Sequence, residues 1–187
     1  LWHFIGYEGV FIPFAWPSRM GRLDYFGDTE SARYSALYLR EFLEFLADET
    51  TARRIHILGY SAGTRLVGAA LHQLALVHEH RTAAEIRERL RLGNVILVGS
   101  DIDRGIFSTY LMDGLLRVQE RLTIYESPRD KALGMALLAF GKNRVGQLDP
   151  SDLTPGARKF LRSSDALSLV SITNAPGYDA GNGHSYF

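Results

Sequence analysis

The feature that most constrains the fold is an alternation of short apolar runs with segments of helical periodicity. The apolar runs are rich in β-branched residues and predict five buried strands, at Val10–Ala15, Arg54–Leu58, Asn94–Val98, Arg121–Tyr125 and Leu167–Ile172. Strands that alternate with helices pair in parallel, because each helix carries the chain back across the sheet in a right-handed crossover. The sequence therefore predicts an α/β fold: a doubly wound, mostly parallel sheet in a three-layer α/β/α sandwich.

Local signals predict where the helices begin and which faces they bury. Apolar residues recur at helical spacing before the second strand, at Ala32, Ala36, Leu39, Leu43 and Leu46. We expect Asp28 or Thr29 to cap this helix, because either side chain can accept a hydrogen bond from an unpaired amide. Thr82 has capping-box spacing with the glutamate three residues later, and Thr154 precedes a proline at the first helical position.

The composition excludes several classes of protein. A length of 187 residues fits one domain, and 21 Lys and Arg balance 21 Asp and Glu, so no nucleic-acid partner is indicated. The absence of cysteine excludes disulfides, thiolate metal sites and a cysteine nucleophile. No apolar run approaches the roughly 20 residues that span a bilayer, and the first residues do not resemble a signal peptide. We predict a soluble protein without a membrane span.

The turn after the second predicted strand has the pattern of a nucleophile elbow. The segment Gly59-Tyr60-Ser61-Ala62-Gly63 matches G-x-S-x-G, with a strand directly before it and an apolar helix directly after it. The two glycines would let strand and helix approach closely, and the sharp turn would expose the Ser61 hydroxyl. The Ala62 amide could then donate to an oxyanion. An ordinary turn with a serine N-cap is the alternative, and the flanking elements favour the nucleophile.

A serine nucleophile requires a base, and in this fold an acid lies between the two in the chain. His184, in a glycine-rich loop after the last predicted strand, is the candidate base, with a surface histidine as the alternative. Asp130 follows the fourth strand and is the preferred acid, although its spacing from Ser127 also fits a capping box. Asp101 and Asp103 follow the third strand and are the alternative acids, and either could instead cap a helix.

Five short segments occur together in a recognisable order. They are Trp16-Pro17-Ser18, the elbow Gly59–Gly63, Asp101-Ile102-Asp103, Ser127–Asp130 and the terminal Gly183-His184-Ser185-Tyr186-Phe187. Over nearly the whole chain this set resembles a bacterial family of α/β-hydrolase proteins catalogued as domain of unknown function number nine hundred. The resemblance implies an α/β-hydrolase fold with Ser61, Asp130 and His184 as its triad, and it implies no particular substrate.

One departure from that family's pattern concerns the oxyanion hole. Such proteins usually carry a His-Gly-Tyr or His-Gly-Phe segment after an earlier strand, and the loop there supplies a second oxyanion donor. The segment is not found in this sequence, and Leu1–Gly6 resembles the end of the helix that follows it. We therefore expect residues 1–187 to form a single α/β-hydrolase domain that lacks its N-terminal strands and a closing C-terminal helix.

The remaining candidates complete the functional hypothesis. His78 and His80 are two residues apart and diverge on a helix, so we predict no metal site and expect no cofactor. Trp16 and Tyr60 are candidate residues for lining a substrate cleft, with core packing as the alternative for Trp16. The favoured function is a serine hydrolase acting on a small-molecule ester or similar acyl substrate. A non-catalytic binding domain and an acyltransferase with the same triad are the alternatives.

Overall fold

The computed structural model describes residues 3, 6, 8–18, 25–131, 133, 134, 143–149, 151 and 153–175. Its main elements, in chain order, are α1 (Tyr25–Glu49), β1 (Ile55–Tyr60), α2 (Gly63–Val77), α3 (Ala83–Leu90), β2 (Leu92–Val98), α4 (Arg104–Met112), β3 (Gln119–Glu126), α5 (Pro155–Ser163) and β4 (Leu167–Ser171). Short 3₁₀ turns lie at Leu115–Arg117 and Val145–Gln147. None of the helices in these ranges is both long and apolar enough to cross a membrane.

The strands form one 4-stranded sheet in the order β1-β2-β3-β4, and every neighbouring pair is parallel. In the register of the sheet, Tyr60 lies opposite Val98 and Glu126 lies opposite Ser171. Because parallel strands end at the same edge, the chain segments that follow all four strands begin side by side. The sheet and its helices confirm the predicted α/β fold, and they bring the turn after β1 near the loops after β2 and β3.

The core lies between the sheet and the helices, and it is built from the apolar faces that the sequence predicted. In α1, the predicted stripe is buried at Ala32, Ala36, Leu39 and Leu43. The helix after the elbow contributes Leu71 and Leu74, each at most 1% exposed, and the strands contribute Val95 and Leu122, both 0% exposed. Each such aliphatic side chain stabilises the fold by roughly 2 kcal/mol. These contacts hold α2, and with it the elbow, against the sheet.

Two predicted helix caps are present. The Thr82 hydroxyl accepts a hydrogen bond from the Glu85 amide at 3.3 Å, and the Glu85 carboxylate accepts one from the Thr82 amide at 2.7 Å. This reciprocal pair is a capping box. At the start of α5, the Thr154 hydroxyl accepts from the Ala157 amide at 3.2 Å, ahead of a proline at the first helical position. Both helices therefore begin where the sequence indicated.

Two predictions in the N-terminal part of the chain are wrong. The first helix begins at Tyr25, so Asp28 and Thr29 lie inside α1 and do not cap it. The stability of a helix comes mostly from its packed face, here the buried stripe that begins at Ala32, so a local capping preference need not set where it begins. Residues 10–15 were predicted as a strand, but residues 8–18 contain neither helix nor strand, and Val10 is 88% exposed. A strand requires a neighbour for its backbone groups, and in the described part of the sheet β1 is the edge strand.

Candidate active site

Ser61 occupies a strained turn between a strand and a helix. Its φ is 51°, in the left-handed region that costs residues with side chains roughly 1–2 kcal/mol. The strand β1 ends at Tyr60 and α2 begins at Gly63, so the chain passes from strand to helix within two residues. This is the strand–turn–helix geometry that the G-x-S-x-G pattern predicted.

The sequence folds this way partly because Gly59 carries no side chain. A Cβ at Gly59 would lie 3.2 Å from a methyl group of Val67 and 3.3 Å from one of Leu97. Strand β1 can therefore approach both α2 and β2 closely. The same steric reason was predicted for Gly63 and is not found there. Apart from the adjacent residues and the backbone of α2 itself, no described atom lies within 4 Å of a Cβ at that position.

Hydrogen bonds fix the main chain of Ser61 on both sides. Its amide donates to the Val98 carbonyl at 2.9 Å, which ties the turn to the end of β2. Its carbonyl accepts from the Thr64 amide at 3.0 Å and from the Thr64 hydroxyl at 2.6 Å. Thr64 itself is 0% exposed. These bonds offset the backbone strain and hold the main chain of Ser61 at the sheet edge.

The Ala62 amide lies at the start of α2, next to Ser61. Within the part of the chain that the structure describes, no backbone carbonyl accepts a hydrogen bond from it. The first amides of a helix have no acceptor inside the helix, and the positive end of the helix dipole lies there as well. The position of this amide is compatible with donation to an oxyanion, and that role stays a prediction.

A second residue with a left-handed backbone, Arg91, provides a comparison for the strain at Ser61. Arg91, with a φ of 53°, ends α3, and its guanidinium donates to the carbonyls of Leu46, Ala47 and Thr50. Helices often end in this conformation, so the strain at Arg91 has a structural explanation. At Ser61 a helix begins, and helix termination cannot explain the strain. Unusual backbone of this kind is a reason to propose function.

Asp130 lies in the loop after β3 and is 1% exposed. Its Oδ1 accepts from the Leu133 amide at 3.0 Å, so it caps the turn that follows. The amide of Asp130 donates to the Ser127 carbonyl at 3.2 Å, and its carbonyl accepts from the Gln147 side chain at 2.9 Å. Hydrogen bonds therefore fix both the main chain and the carboxylate of Asp130.

The two alternative acids have structural partners. The Asp103 carboxylate accepts from the amides of Gly105 and Ile106 at 2.9 and 3.1 Å, and it caps α4 as the alternative interpretation predicted. Asp101 is 4% exposed, and its oxygens lie 2.8 Å from Arg65 and 3.3 Å from Arg144. These contacts give both carboxylates a structural role, and the choice of Asp130 as the acid stays a prediction.

The family model described as alpha/beta hydrolase of unknown function (DUF900) matches residues 1–187. The chain belongs to this α/β-hydrolase family. No curated protein and no solved structure matches the chain. Membership agrees with the parallel sheet and with the elbow after β1.

The remaining predicted site residues of this α/β hydrolase differ in how far the structure supports a place at the site. Tyr60 is 37% exposed and directly precedes Ser61, so it can border a cleft at this edge. Trp16 is partly buried and packs against the hydrophobic core, which agrees with the alternative interpretation of that residue. His184 lies outside the described residues. Ser61 and Asp130 lie at the same edge of the sheet, after β1 and β3, with β2 between those strands.

Two histidines on α2 and at its C-terminal end take part in structural contacts. His72 Nε2 lies 2.8 Å from the Asp113 carboxylate, and His78 Nε2 lies 3.5 Å from that of Glu44. Burial lowers the pKa of His78, although Glu44 acts in the opposite direction. Across the described ranges, no group of three or more His, Asp or Glu side chains could hold a metal ion.

Sequence reasoning missed one residue at this edge. Glu126, the last residue of β3, is 0% exposed, and neither carboxylate oxygen makes a well-formed hydrogen bond within the described chain. Burial raises the pKa of Glu126, and the hydroxyl of Ser171 partly offsets that effect. The signal in the sequence was an acidic residue where the alternation of β3 calls for an apolar one, two residues after buried Ile124.

Proposed function

We propose that this α/β hydrolase is a serine hydrolase that cleaves an ester or a similar acyl substrate through an acyl-enzyme on Ser61. The observation that carries the proposal is the left-handed backbone of Ser61 at a strand–helix turn, on the carboxyl edge of a parallel sheet. An ordinary turn with a serine N-cap has no need of this conformation, because N-cap residues take an extended backbone.

Each proposed residue has one role in the reaction. The Ser61 hydroxyl attacks the acyl carbon while His184 takes its proton, and the Ala62 amide donates to the oxyanion that forms. The Asp130 carboxylate keeps the His184 ring oriented and stabilises its positive charge. The alcohol then leaves with the proton from His184. Water, deprotonated by His184, attacks the acyl-enzyme and releases the acid with Ser61 restored.

The position of Asp130 supports its assignment as the acid. In α/β hydrolases the triad follows the chain order Ser, then Asp or Glu, then His. Asp130 lies between Ser61 and His184 in the sequence, and its loop follows β3, next to the strand β4 that precedes His184. It is nearly fully buried, so its charge can act on an imidazolium with little screening by water.

The proposal is tested with the complete chain and p-nitrophenyl acetate, an activated ester that needs little specific binding. We expect a burst of p-nitrophenol of about one equivalent per chain, followed by slower turnover, because acylation precedes deacylation. Ser61→Ala should remove the burst and lower the rate at least about a thousandfold.

Ser108→Ala is the matched control, because Ser108 lies on α4 and its exposed hydroxyl donates to the Arg104 carbonyl at 2.9 Å. This variant should keep the burst of the wild type. A folded wild type without a burst, and with the same rate as Ser61→Ala, would contradict the proposal.

A further inference from the structure

Asp101 connects directly to the turn that carries Ser61. Its amide donates to the Thr64 hydroxyl at 3.0 Å, and that hydroxyl donates to the Ser61 carbonyl at 2.6 Å. Its carbonyl accepts from Arg65 Nε at 3.0 Å, and its carboxylate lies 2.8 Å from Arg65 Nη2. Thr64 and Arg65 both belong to the first turn of α2. The main chain and the carboxylate of Asp101 are thus both attached to the elbow helix.

The other carboxylate oxygen of Asp101 connects to a different segment. It lies 3.3 Å from Arg144 Nε, and Arg144 begins a short stretch that runs antiparallel to the chain after β2. The Val145 amide donates to the Ile102 carbonyl at 2.9 Å, and the Gly146 amide donates to the Ser100 carbonyl at 2.8 Å. Residues 144–147, which we term the clamp segment, are therefore fixed against the loop that contains Asp101.

The clamp segment in turn holds the loop of Asp130. The Gly146 carbonyl accepts from the Ser127 amide at 2.8 Å, and the Gln147 side chain donates to the Asp130 carbonyl at 2.9 Å. The fit is close, because a Cβ at Gly146 would lie 2.5 Å from the Ser100 nitrogen. A shift of the clamp segment would therefore move the main chain of Asp130.

The charges show why Asp101 is needed in this arrangement. The side chains of Asp101 and Arg144 are each 6% exposed and that of Arg65 is 16% exposed. One carboxylate thus separates two guanidinium groups in a region with little water. Without its charge the two arginines would repel each other, and such repulsion is weakly screened in the interior. Arg144 would then move away from α2 and carry the clamp segment with it.

We propose that Asp101 is a positioning residue that fixes the Asp130 loop relative to the Ser61 elbow, through Arg65, Arg144 and the clamp segment. The inference rests on the proposed function, in which Ser61 is the nucleophile and Asp130 the acid. Asp101 touches neither substrate nor the reacting atoms in this scheme. Its effect on the reaction passes through Asp130, because a displacement of a catalytic group by about 1 Å can cost about a hundredfold in rate.

The test compares labelling rates of the complete chain with a fluorophosphonate probe, which reacts with an activated serine. Asp101→Asn should lower the rate constant for labelling of Ser61 about ten- to a hundredfold. In an Asp130→Asn background the same change should have almost no further effect, because the two residues act as one unit. Hydrogen exchange of the Ser127 amide should also become faster in Asp101→Asn.

Asp113→Asn serves as the matched control. Asp113 is also an aspartate with a basic partner, His72 at 2.8 Å, but it is not among the contacts that link Asp101 to Asp130. It should label at the wild-type rate. If Asp101→Asn does not fold, Gln147→Leu decides the question. This change leaves both ion pairs in place but removes the donor to the Asp130 carbonyl, and it should give the same loss and the same non-additivity.

Three results would overturn the inference. The first is a folded Asp101→Asn, or in its place a folded Gln147→Leu, that labels at the wild-type rate. The second is an equal loss in the wild-type and Asp130→Asn backgrounds, which indicates an effect independent of Asp130. The third is a wild type that is not labelled at Ser61, which removes the proposed function and this inference together. If the wild type is labelled at Ser61 and the folded variant is labelled at the same rate, this inference fails while the proposed function stands.

Discussion

Two carboxylates at the same edge of the sheet are almost equally buried and have different surroundings. Asp101 is 4% exposed and Asp130 is 1% exposed, and they follow neighbouring strands. Asp101 lies between the guanidinium groups of Arg65 and Arg144, whereas the described bond to the Asp130 carboxylate comes from the Leu133 main-chain amide. Burial alone therefore does not identify a catalytic acid. The described contacts of Asp101 are those of a structural ion-pair network, and the role of Asp130 as the acid stays a prediction.

The largest effect is expected for Asp130→Asn. The amide keeps the shape of the side chain and can still accept from the Leu133 amide, so the free energy of unfolding should change by about 1 kcal/mol or less. Fluorophosphonate labelling of Ser61 should slow by about four orders of magnitude, because a neutral amide neither orients the His184 tautomer nor stabilises its charge. Labelling kinetics and urea unfolding measure the two quantities. A labelling rate within tenfold of the wild type would exclude Asp130 as the acid.

The second effect concerns stability at the other carboxylate. Asp101→Ala leaves two buried arginines without their shared counter-charge, so we expect the free energy of unfolding to fall by about 3–5 kcal/mol. Asp48→Ala is the control, because Asp48 forms an exposed pair with Arg89 at 2.8 Å and should cost at most about 1 kcal/mol. Urea unfolding of both variants gives the comparison. Equal losses for the two variants would mean that Asp101 is no more structural than a surface carboxylate.

The smallest effect is expected at a third buried carboxyl, Glu126, whose oxygens make no well-formed hydrogen bond with the described residues. Since burial raises its pKa in the folded protein, the folded state holds a proton that the unfolded state has lost above about pH 4.5. Stability from this group is therefore fully present below about pH 4.5 and declines as pH rises toward the folded-state pKa. Glu126→Gln should remove that decline.

Melting temperatures measured between about pH 4 and pH 8 test this expectation. The difference between Glu126→Gln and the wild type should grow in favour of the variant as pH rises, by a few degrees in all. Glu88→Gln, on an exposed position of α3, provides the control and should follow the wild type. A constant difference across the range would show that Glu126 does not titrate in this window.

Much of the fold could be predicted from the sequence because its signals are local. Four of the five predicted apolar runs form β1 to β4, although β1 and β4 are only partly buried. The elbow pattern predicted the turn at Ser61 because glycines, strand and helix are contiguous there. The capping box at Thr82 depends on residues three apart. The strand predicted at residues 10–15 is wrong, because strand formation depends on a pairing partner elsewhere in the chain, which a local signal does not show.

The candidate site was less accessible to sequence reasoning, because its decisive contacts join distant segments. Nothing local in the sequence shows that Arg65 and Arg144 both lie against Asp101, so Asp101 and Asp130 stayed alternatives for the acid. The hydrogen bond from Gln147 to Asp130 is equally invisible in the sequence. The position of Asp130 one strand before the histidine and the family resemblance favoured it in the sequence, and the structure adds the ion-pair contacts of Asp101.

The most direct test of the account identifies the residue that carries a fluorophosphonate adduct. The complete, folded chain is treated with the probe, digested, and mapped by mass spectrometry. We expect a phosphonyl group on Ser61, and on neither Ser100 nor Ser127, both of which are 0% exposed. Ser61→Ala should then carry no adduct. A folded wild type without an adduct, or one whose adduct persists in Ser61→Ala, would contradict the assignment of Ser61 as the nucleophile.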